Sequence, residues 1–333
     1  MITVAVDALG GDRAPAEIVA GAAEAASEMV RPLLFGPAGV DTYGLELVET
    51  TQTIAMDEKP ADAVRAKPDS SLVAACRAVG EGRADAVVSA GNTGAMLAAS
   101  LVQIRRLPDV RRPGIAVLIP ARRGPCVLID AGANADARPE HLHQFAHMGA
   151  VFAEEILSIP RPEVRLLSIG EEPEKGNQLV LESRRLLAEA DRLNFAGNAE
   201  SRDLLVGAAD VVVCDGFTGN VSLKLLEGTI KEVLDALRAE IAASRRGKLG
   251  GLLIRPAARK LRDRLDPDTY GGAYLLGLRG LVVIAHGNSS RRAIANAIGL
   301  AARGVEHDVV GRLRERLGER VLASARSQTP GTK

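Results

Sequence analysis

The chain alternates short aliphatic runs with longer amphipathic segments. The runs at 2–6, 85–89, 164–169, 211–213 and 281–284 are rich in Val, Ile and Leu, and each is followed by a polar loop. Short runs of this kind predict buried strands. Because strands that alternate with helices favour parallel sheets, we predict an α/β fold with a largely parallel sheet covered on both faces.

Several other elements follow from local signals. Strands are predicted at 32–35 and 52–56, a polar loop at 57–71, and a helix that begins at a Ser70 or Ser71 cap and runs to Val79. Two runs at 115–119 and 126–129 flank Arg122, Arg123 and Gly124, which predict a turn between a pair of strands. Further helices are predicted at about 15–29, 139–156 and 178–190.

Glycine-rich polar loops follow most of the predicted strands. In parallel sheets, ligands bind outside the carboxyl ends of the strands. The sequence therefore predicts that these loops meet at one edge of the sheet and form a ligand site there. The loops lie at 7–12, 90–94, 130–136, 170–177, 216–220 and 286–290.

One of these loops leads from a strand into a long helix. Residues 216–220 read as a tight loop, and the helical pattern after it places apolar residues at Leu226, Ile230, Val233, Leu234, Leu237 and Ile241. A helix N-terminus offers unpaired N–H groups and a partial positive charge, which suit a phosphate. Many α/β proteins use the same arrangement for packing alone, so the pattern leaves both interpretations open.

Composition narrows the class of protein. The 333 residues are 47% hydrophobic but only 2% aromatic, so Ala, Val, Leu and Ile must build the core. Lys+Arg and Asp+Glu are equal at 42, which gives no indication of nucleic-acid binding. Cys76, Cys126 and Cys214 are too widely spaced for a disulfide framework and suit a reducing compartment. The N-terminal run reads as a strand rather than a signal peptide, and no run of about 20 apolar residues predicts a membrane span.

Familiar catalytic motifs are absent from the sequence. It contains no GxSxG, no P-loop and no GxGxxG. His143 and His147 have the spacing of a zinc motif, but Gln144 replaces the required Glu, so we expect no metal. Cys214 could be a nucleophile, although a buried thiol is the commoner case. Lys175 could be catalytic or simply solvated, His286 could serve a site or brace its loop, and the loop aspartates could orient ligands or cap turns.

A strongly basic amphipathic segment lies at about 241–265. Residues 241–264 include eight basic side chains and one acidic one, Asp263, around a cluster of leucines. Such a segment is typical of binding to an anionic membrane surface, but it could also bind an acidic protein or pack in a dimer. The residues predicted to make these contacts are Arg245, Arg246, Lys248, Leu252, Leu253, Ile254, Arg255, Arg259 and Leu261. The tail at 327–333 is predicted to be disordered.

Eight motifs together resemble the PlsX phosphate acyltransferase family. They are VDALGGDRAP, SAGNTGA, DAGANADARPEHLHQFAHMG, IGEEPEKGN, FAGNAESRD, DGFTGNVSLK, YGGAYLLGL and AHGNSS, and they follow in the family's order from Ile2 to about Ala302. The chain departs from the family pattern at Leu9, where Met is usual, and at Asn288, where Ser is expected.

The resemblance implies an acyltransferase that joins orthophosphate to a fatty acyl chain taken from acyl carrier protein. The acyl phosphate would serve glycerol-3-phosphate acyltransferase in phospholipid synthesis. It also implies one three-layer α/β/α catalytic domain over 1–333, akin to isocitrate and isopropylmalate dehydrogenases. A cytoplasmic homodimer attached to the inner face of the cell membrane, without a cofactor, completes the family picture.

Site residues follow from the resemblance and the chemistry. Orthophosphate is already nucleophilic and a thioester is already activated, so the protein needs to orient the reactants and stabilise an oxyanion. The predicted catalytic residues are Lys175, Asn198 and His286. The predicted phosphate and substrate contacts are Asp7, Gly10, Gly11, Asp12, Asn92, Thr93, Gly94, Asp130, Asn134, Asn177, Asp215, Gly216, Phe217, Thr218, Gly219 and Asn220, with one phosphate against both 92–94 and 216–220. Alternatives are a phosphotransacetylase that uses acyl-CoA, a nicotinamide-dependent dehydrogenase and a non-catalytic membrane scaffold.

Overall fold

A computed structural model describes residues 1–190, 192–266 and 269–317, and within them eleven strands form one sheet. The strands are β1 Ile2–Asp7, β2 Val30–Gly36, β3 Glu46–Glu49, β4 Ala86–Ser89, β5 Gly114–Ile119, β6 Cys126–Ile129, β7 Glu163–Leu167, β8 Asn194–Ala199, β9 Val211–Val213, β10 Ala273–Leu276 and β11 Leu281–Ile284. The helices are α1 Ala16–Ala25, α2 Pro60–Ala66, α3 Ser71–Gly80, α4 Thr93–Gln103, α5 Pro139–Leu157, α6 Gln178–Ala188, α7 Asp203–Val206, α8 Gly216–Ala242, α9 Arg245–Leu265 and α10 Arg291–Glu306, and residues 309–317 are also helical. The tail predicted to be disordered lies outside the described residues.

The sheet is mixed, and its two halves run in opposite directions. Its order is β3-β2-β1-β4-β11-β10-β5-β6-β9-β7-β8. The neighbours β1, β2, β3, β4 and β11 are parallel, as are β6, β9, β7 and β8. Between these sets β10 is antiparallel to both β11 and β5, and β5 is antiparallel to β6. Strands β6 to β10 therefore point opposite to the other six.

This reversal shows that the prediction of a single edge for all the loops was wrong. The loops after β1, β4 and β11 lie at one edge, and those after β6, β7, β8 and β9 lie at the opposite edge. The physical reason is the β5–β6 hairpin, whose turn sends the later strands back across the sheet. Each half satisfies the same strand–loop–helix pattern by itself, so the pattern carries no information on the direction of one half relative to the other.

Helices cover both faces of the sheet, as the three-layer α/β/α prediction requires. Val4 and Val6 of β1 pack in one buried cluster with residues from α1, α5, α6 and α10. Ala5, between them, packs in the second cluster with residues from α2, α3 and α4. This alternation is the period of two expected for a strand whose two faces are both buried. The predicted fold class is confirmed.

Several element boundaries differ from the predictions. Residues 216–220 are the first turns of α8 rather than a loop, and α2 lies inside the predicted polar loop at 57–71. The third strand is β3 at Glu46–Glu49, not 52–56, and β10 was not predicted. The Ser70 cap of α3 is confirmed, since its hydroxyl accepts a hydrogen bond from the Val73 N–H at 3.4 Å.

The basic segment forms α9, which follows the 27-residue α8 after a short connection. The side chain of Ser244 caps α9 by accepting a hydrogen bond from the Gly247 N–H at 2.9 Å. No residue of α9 is buried, and in α8 only Gly216 and Gly219 are. Within the described part of the chain, no helix is both long enough and apolar enough to cross a bilayer.

Candidate active site

Asp130 is the buried centre of the loop that follows β6. Its Oδ1 accepts hydrogen bonds from the N–H groups of Ile115, Gly132 and Ala133 at 3.0, 3.1 and 2.9 Å. Its Oδ2 accepts from the backbone N–H and the side-chain amide of Asn134, both at 2.8 Å. Burial raises the pKa of Asp130, while these donors favour the ionised carboxylate. The carboxylate therefore fixes the 130–134 loop to the start of β5.

The first turn of α8 is held directly against this loop. The Gly216 N–H donates to the carbonyl of Asn134 at 2.8 Å. At Gly219, an added Cβ would lie 1.9 Å from the Asp130 carbonyl oxygen, so only glycine fits there. Gly132 lies beneath Asn220, whose side-chain atoms are 3.6 Å from the position of a Cβ on Gly132. The loop after β6 therefore sets the position of the α8 N-terminus.

Asp215 caps that N-terminus. Its Oδ1 accepts from the Thr218 N–H at 2.9 Å, and its Oδ2 accepts from the Thr218 hydroxyl at 2.7 Å. Phe217, between them, points outward and is 66% exposed. The cap satisfies one orphan donor of the helix and leaves the positive end of its dipole open to the surface.

A second helix N-terminus faces the same open cavity. Asn177 caps α6, because its Oδ1 accepts from the Val180 N–H at 3.0 Å. The cavity has a volume of about 330 Å³ and is lined by both caps together with five neighbours and Phe217. The lining residues are Ala135, Asp136, Ala137, Asn177, Leu179, Asp215, Phe217 and Thr218. Four predicted contact residues are thus brought together.

Lys175 lies on the loop that leads into α6, at the same edge of the sheet. It is exposed, and its backbone N–H donates to the Glu172 carbonyl at 3.1 Å. Asn198, at the carboxyl end of β8, is buried beneath this loop. Its Nδ2 donates to the carbonyls of Gly170 and Glu172 at 3.3 and 2.9 Å. The structure places Asn198 as a brace of the loop that carries Lys175.

The three thiols are all buried and free. Burial raises the pKa of Cys214 well above its ordinary value of 9.0, and the neighbouring Asp130 and Asp215 raise it further. Burial also raises the pKa of Cys76 and of Cys126 to about 12. A thiolate nucleophile is therefore disfavoured at all three positions, and Cys214 behaves as a buried small side chain beside Gly219.

The predicted contacts in the first loop form a separate cluster at the opposite edge. Asp7 is buried and accepts from the hydroxyls of Ser71 and Ser89 at 2.5 and 2.7 Å. Burial raises its pKa, against the lowering effect of the two serines. Gly10 packs on this group, since an added Cβ would lie 2.4 Å from Asp7 Oδ2. Gly11, with φ at +111°, abuts Gly287, and the Asp12 N–H donates to the Gly287 carbonyl at 2.7 Å.

Asn92 caps α4 within that second cluster. Its Oδ1 accepts from the Ala95 N–H at 3.0 Å, and its Nδ2 donates to the carbonyls of Met56 and Glu58 at 2.9 and 3.3 Å. Thr93 is exposed at the first position of the helix. Gly94 packs against Pro60, at 2.5 Å from the position of an added Cβ. The amide of Asn92 therefore ties α4 to the segment before α2.

His286 belongs to the same edge as Asp7. Its side chain is half exposed, and its Nε2 lies 3.8 Å from the Glu227 Oε2 of α8. Glu227 stands nine residues after Thr218 along α8, which corresponds to about 13 Å of helix. This pair brings α8 against the loop after β11.

The two clusters are too far apart to bind one phosphate. Strand β4, which leads to Asn92, is five positions from β9, which leads to Gly216, in the order of the sheet. Five spacings of about 4.8 Å give about 24 Å across the sheet, before the opposite edges are considered. The prediction that one phosphate contacts both 92–94 and 216–220 was therefore wrong.

Some residues at these sites carried no signal in the sequence. Ser89 and Ser168 are isolated serines, and their hydroxyls find partners only after the strands assemble. Ser71, predicted as a possible helix cap, donates its hydroxyl to Asp7 instead. Glu227 lies in a helical pattern where a charged residue reads as solvated.

His143 and His147 pack edge-on, with ring centroids 5.2 Å apart. No group of three or more potential metal ligands occurs in residues 1–190, 192–266 and 269–317.

The predicted contact residues of α9 lie on an exposed surface. Leu249, Leu252, Leu253 and Ile254 are between 48% and 76% exposed. The basic side chains Arg245, Arg246, Lys248, Arg255 and Arg259 are exposed or half-exposed around them, with Leu261 39% exposed further along. The helix thus presents apolar and cationic side chains to the solvent together.

Comparison with known proteins places the chain in a family. Residues 2–312 match the family described as "Fatty acid synthesis protein". A phosphate acyltransferase of Heliobacterium modesticaldum is 46% identical over 330 residues, which is 96% of this chain and 98% of the relative. A phosphate acyltransferase of Moorella thermoacetica is also 46% identical, over 92% of this chain and 93% of the relative.

Solved structures with a similar fold are more distant in sequence. A branched-chain phosphotransacylase from Enterococcus faecalis has a TM-score of 0.59 at 16% identity, over 92% of this chain and all of that one. A phosphotransacetylase from Streptococcus pyogenes has a TM-score of 0.59 at 15% identity, over 92% and 94%. At these identities the likeness concerns the fold alone. The match over residues 2–312 and the identity to phosphate acyltransferases show that the chain is an acyltransferase and belongs to the PlsX family.

Proposed function

We propose that the chain transfers a fatty acyl group from acyl carrier protein to orthophosphate. The observation that carries this proposal is that the capped N-termini of α6 and α8 open into one cavity. The acyl phosphate would then acylate glycerol 3-phosphate through a glycerol-3-phosphate acyltransferase in phospholipid synthesis.

Phosphate would bind at the α8 end of the cavity. Helix N-termini attract anions through their unpaired N–H groups and dipoles, and two such termini reinforce each other. Thr218 donates two hydrogen bonds to Asp215, which partly offset the negative charge of the Asp215 carboxylate. Lys175 supplies a positive charge two residues before the Asn177 cap. The two helix dipoles and Lys175 would attract an anionic ligand, against the carboxylates of Asp136 and Asp215, which also line the cavity.

The reaction needs no covalent enzyme intermediate. An oxygen of the phosphate dianion HPO₄²⁻ attacks the thioester carbonyl carbon and forms a C–O bond. The tetrahedral intermediate collapses, the C–S bond breaks, and the proton released from phosphate passes to the sulfur. The products are the acyl phosphate and the free thiol of the carrier. The buried Cys214 takes no part in this scheme, in agreement with its raised pKa.

Lys175 would stabilise the oxyanion of the intermediate. The attraction between an ammonium in this position and the carbonyl oxygen is stronger in the transition state than in the ground state, because negative charge develops on that oxygen. Loss of one such donor typically lowers kcat by about 100-fold. We therefore expect Lys175→Ala to lower turnover by about that factor while the fold survives. Lys231→Ala, an exposed lysine further along α8, is the matched control and should keep its rate.

The test of the reaction is direct. Purified protein is incubated with palmitoyl-acyl carrier protein and orthophosphate, and the product is trapped with hydroxylamine. Hydroxamate that depends on phosphate and on the carrier would support the proposal. Hydroxamate formed from palmitoyl-CoA but not from the carrier protein would favour a phosphotransacetylase, and none from either would refute acyl phosphate formation.

We place a dimer interface on the outer face of α8. Phe217, Val221 and Leu225 follow one another at intervals of four, lie within about 80° of the helix circumference and are between 50% and 70% exposed. Such a row is the ridge that packs against another helix, and a two-fold axis would pair it with itself in a homodimer. Leu225→Asp should then give monomers in size-exclusion chromatography with light scattering. A dimer that survives this change would reject the α8 interface.

The α9 tip would attach the enzyme to an anionic membrane. Its apolar side chains can enter the headgroup region while its arginines contact acidic lipids. The chain would then act as one catalytic domain with a membrane-binding tip, in the cytoplasm at the inner face of the membrane. Co-sedimentation with phosphatidylglycerol vesicles should exceed that with phosphatidylcholine vesicles, and Leu253→Asp should abolish it. Equal binding to both kinds of vesicle would contradict an electrostatic contribution. Competition between acyl carrier protein and the vesicles for Arg255 and Arg259 would indicate that α9 docks the carrier protein.

A further inference from the structure

We propose that Ser168, Gly170 and Asn198 are positioning residues that fix Lys175 at the candidate site. The inference rests on the proposed role of Lys175 in acyl transfer. It concerns the loop between β7 and α6, which is held by hydrogen bonds from Asn198 on β8 and from Ser168 at the loop's own start. It assigns Asn198 to this loop rather than to contact with the reacting atoms.

Both backbone polar groups of Lys175 are engaged. Its N–H donates to the Glu172 carbonyl at 3.1 Å, and its carbonyl accepts from the Ser168 hydroxyl at 3.1 Å. Ser168 directly follows β7, so its backbone is fixed by the sheet. The next residue, Gly176, has φ at +122°, which turns the chain into the Asn177 cap of α6. Lys175 is thus held between a strand end and a helix start.

Asn198 holds the other side of the same loop. It is 2% exposed, and its Nδ2 bridges the carbonyls of Gly170 and Glu172. The Glu172 carbonyl therefore accepts from both Asn198 and the Lys175 N–H. Asn198 Oδ1 has no hydrogen-bond partner within the described residues, so the two donated bonds alone orient this buried amide. These two bonds hold the carbonyls of Gly170 and Glu172 in place.

Gly170 makes room for the stem of the lysine. An added Cβ at Gly170 would lie 2.8 Å from Lys175 Cγ and 3.3 Å from Lys175 Cβ. The side chain of Lys175 therefore crosses directly over the glycine, in a space that a larger residue would fill. Packing of Cβ and Cγ over Gly170 restricts the first torsions of the lysine, while the residue as a whole is exposed. The loop therefore limits the positions that the Lys175 amine can reach.

The arrangement differs from a loop that is merely stable. Asn198 is buried, and both Asn198 and Ser168 donate to the backbone around Lys175. We therefore expect their effect on catalysis to pass through that residue. A change in either would move the amine relative to the thioester carbonyl. Misplacement of a catalytic group by about 1 Å can lower the rate by as much as 100-fold, whereas binding of the acyl donor would hardly change.

The test is a double-mutant cycle on acyl phosphate formation. Ser168→Ala should lower kcat about tenfold with little change in KM for the acyl donor, and Ser168→Thr, which keeps the hydroxyl, should restore most of the rate. In a Lys175→Ala background, Ser168→Ala should change kcat by less than twofold. Asn198→Ala should behave in the same way. If this variant fails to fold because Asn198 is buried, the Ser168→Ala cycle alone tests the proposal. Glu171→Ala, on the same loop but without these bonds, is the matched control.

The outcomes separate the two proposals. Equal loss from Ser168→Ala with and without Lys175 would show a general structural effect and overturn the positioning role. Lys175→Ala with the wild-type rate would remove Lys175 from the mechanism and the inference with it. Wild-type protein that forms no acyl phosphate would refute the proposed function itself.

Discussion

Two glycines of α8 give opposite predictions for the same substitution. Gly219 faces the loop after β6, where an added Cβ would lie 1.9 Å from the Asp130 carbonyl oxygen and 2.9 Å from Cys214 Sγ. Gly228 lies nine residues further on, with nothing within 4 Å of an added Cβ. Gly219→Ala and Gly228→Ala therefore share one helix and one chemical change but differ in their surroundings.

The expected free energies follow from these contacts. In a helix interior, Ala stabilises folding relative to Gly by about 0.5–1 kcal/mol, and Gly228→Ala should gain this amount. Gly219→Ala gains the same but must displace the helix or the loop. Overpacking of a rigid site costs about 1–3 kcal/mol or more. The carbonyl in the way belongs to a residue tied by five hydrogen bonds, so relaxation is limited. A net loss of about 1–2 kcal/mol is expected.

Urea unfolding followed by circular dichroism measures both variants. The free energies of unfolding should differ by about 1.5–3 kcal/mol, with similar m-values. Gly219→Ala should also lower acyl phosphate formation, because it moves the α8 N-terminus, whereas Gly228→Ala should not. Equal stability of the two variants would refute the close packing of α8 against the 130–134 loop.

A buried carboxyl, the thiols and a surface ion pair give further measurable outcomes. Asp130→Asn places an amide against the donors on its Oδ2 side and should lower the free energy of unfolding by roughly 3 kcal/mol. The control Asp136→Asn, at an exposed position, should change it by less than about 0.5 kcal/mol. Equal losses in urea titrations would contradict the buried hydrogen-bond network of Asp130. The three thiols of the native protein should resist iodoacetamide at about pH 8, because burial raises their pKa, and they should react fully in urea. Mass spectrometry that finds Cys214 labelled in folded protein would contradict the burial of Cys214. A side-chain hydrogen bond from Arg291, at 2.6 Å, lowers the pKa of Glu17 below 4.5. Its stabilisation is therefore present above pH 4.5 and lost as the pH falls through the lower, folded-state value. The free-energy difference between wild type and Glu17→Gln should shrink on acidification, and growth instead would contradict the ion pair.

Local elements could be predicted from the sequence because their causes are local. The Ser70 cap and the Val-rich strands depend on residues within a few positions of one another. Asp215 is a favoured N-cap residue, but the predicted helix began only after residue 220. The glycines at 216 and 219 suggested a loop instead. They occur in the helix because Asn134 and Asp130 leave no room for a Cβ.

Long-range pairing could not be predicted in the same way. The direction of half the sheet depends on the β5–β6 hairpin and on β10, which is inserted between β11 and β5. The sequence around β10, Ala273–Leu276, has an ordinary apolar run with no sign of its partners. The role of Asp130 depends on the same pairing, because its Ile115 donor lies on the neighbouring strand. The side-chain chemistry of the site was visible in the sequence, while the edge to which each group belongs was not.

The two-edge arrangement constrains how the predicted catalytic residues can act together. A reacting phosphate must lie within about 3.5 Å of the thioester carbon. If phosphate occupies the α8 N-terminus, Lys175 shares its edge of the sheet, whereas the contact of His286 with Glu227 lies about 16 Å along α8 from Gly216. His286 and the Asp7 cluster are then out of reach of the transferred phosphate. Their place in the family motifs is consistent with a different task, such as contact with the long acyl carrier arm, which extends away from the reacting carbon. Separate kinetic effects would follow, with Lys175 acting on kcat and His286 on KM for the acyl donor.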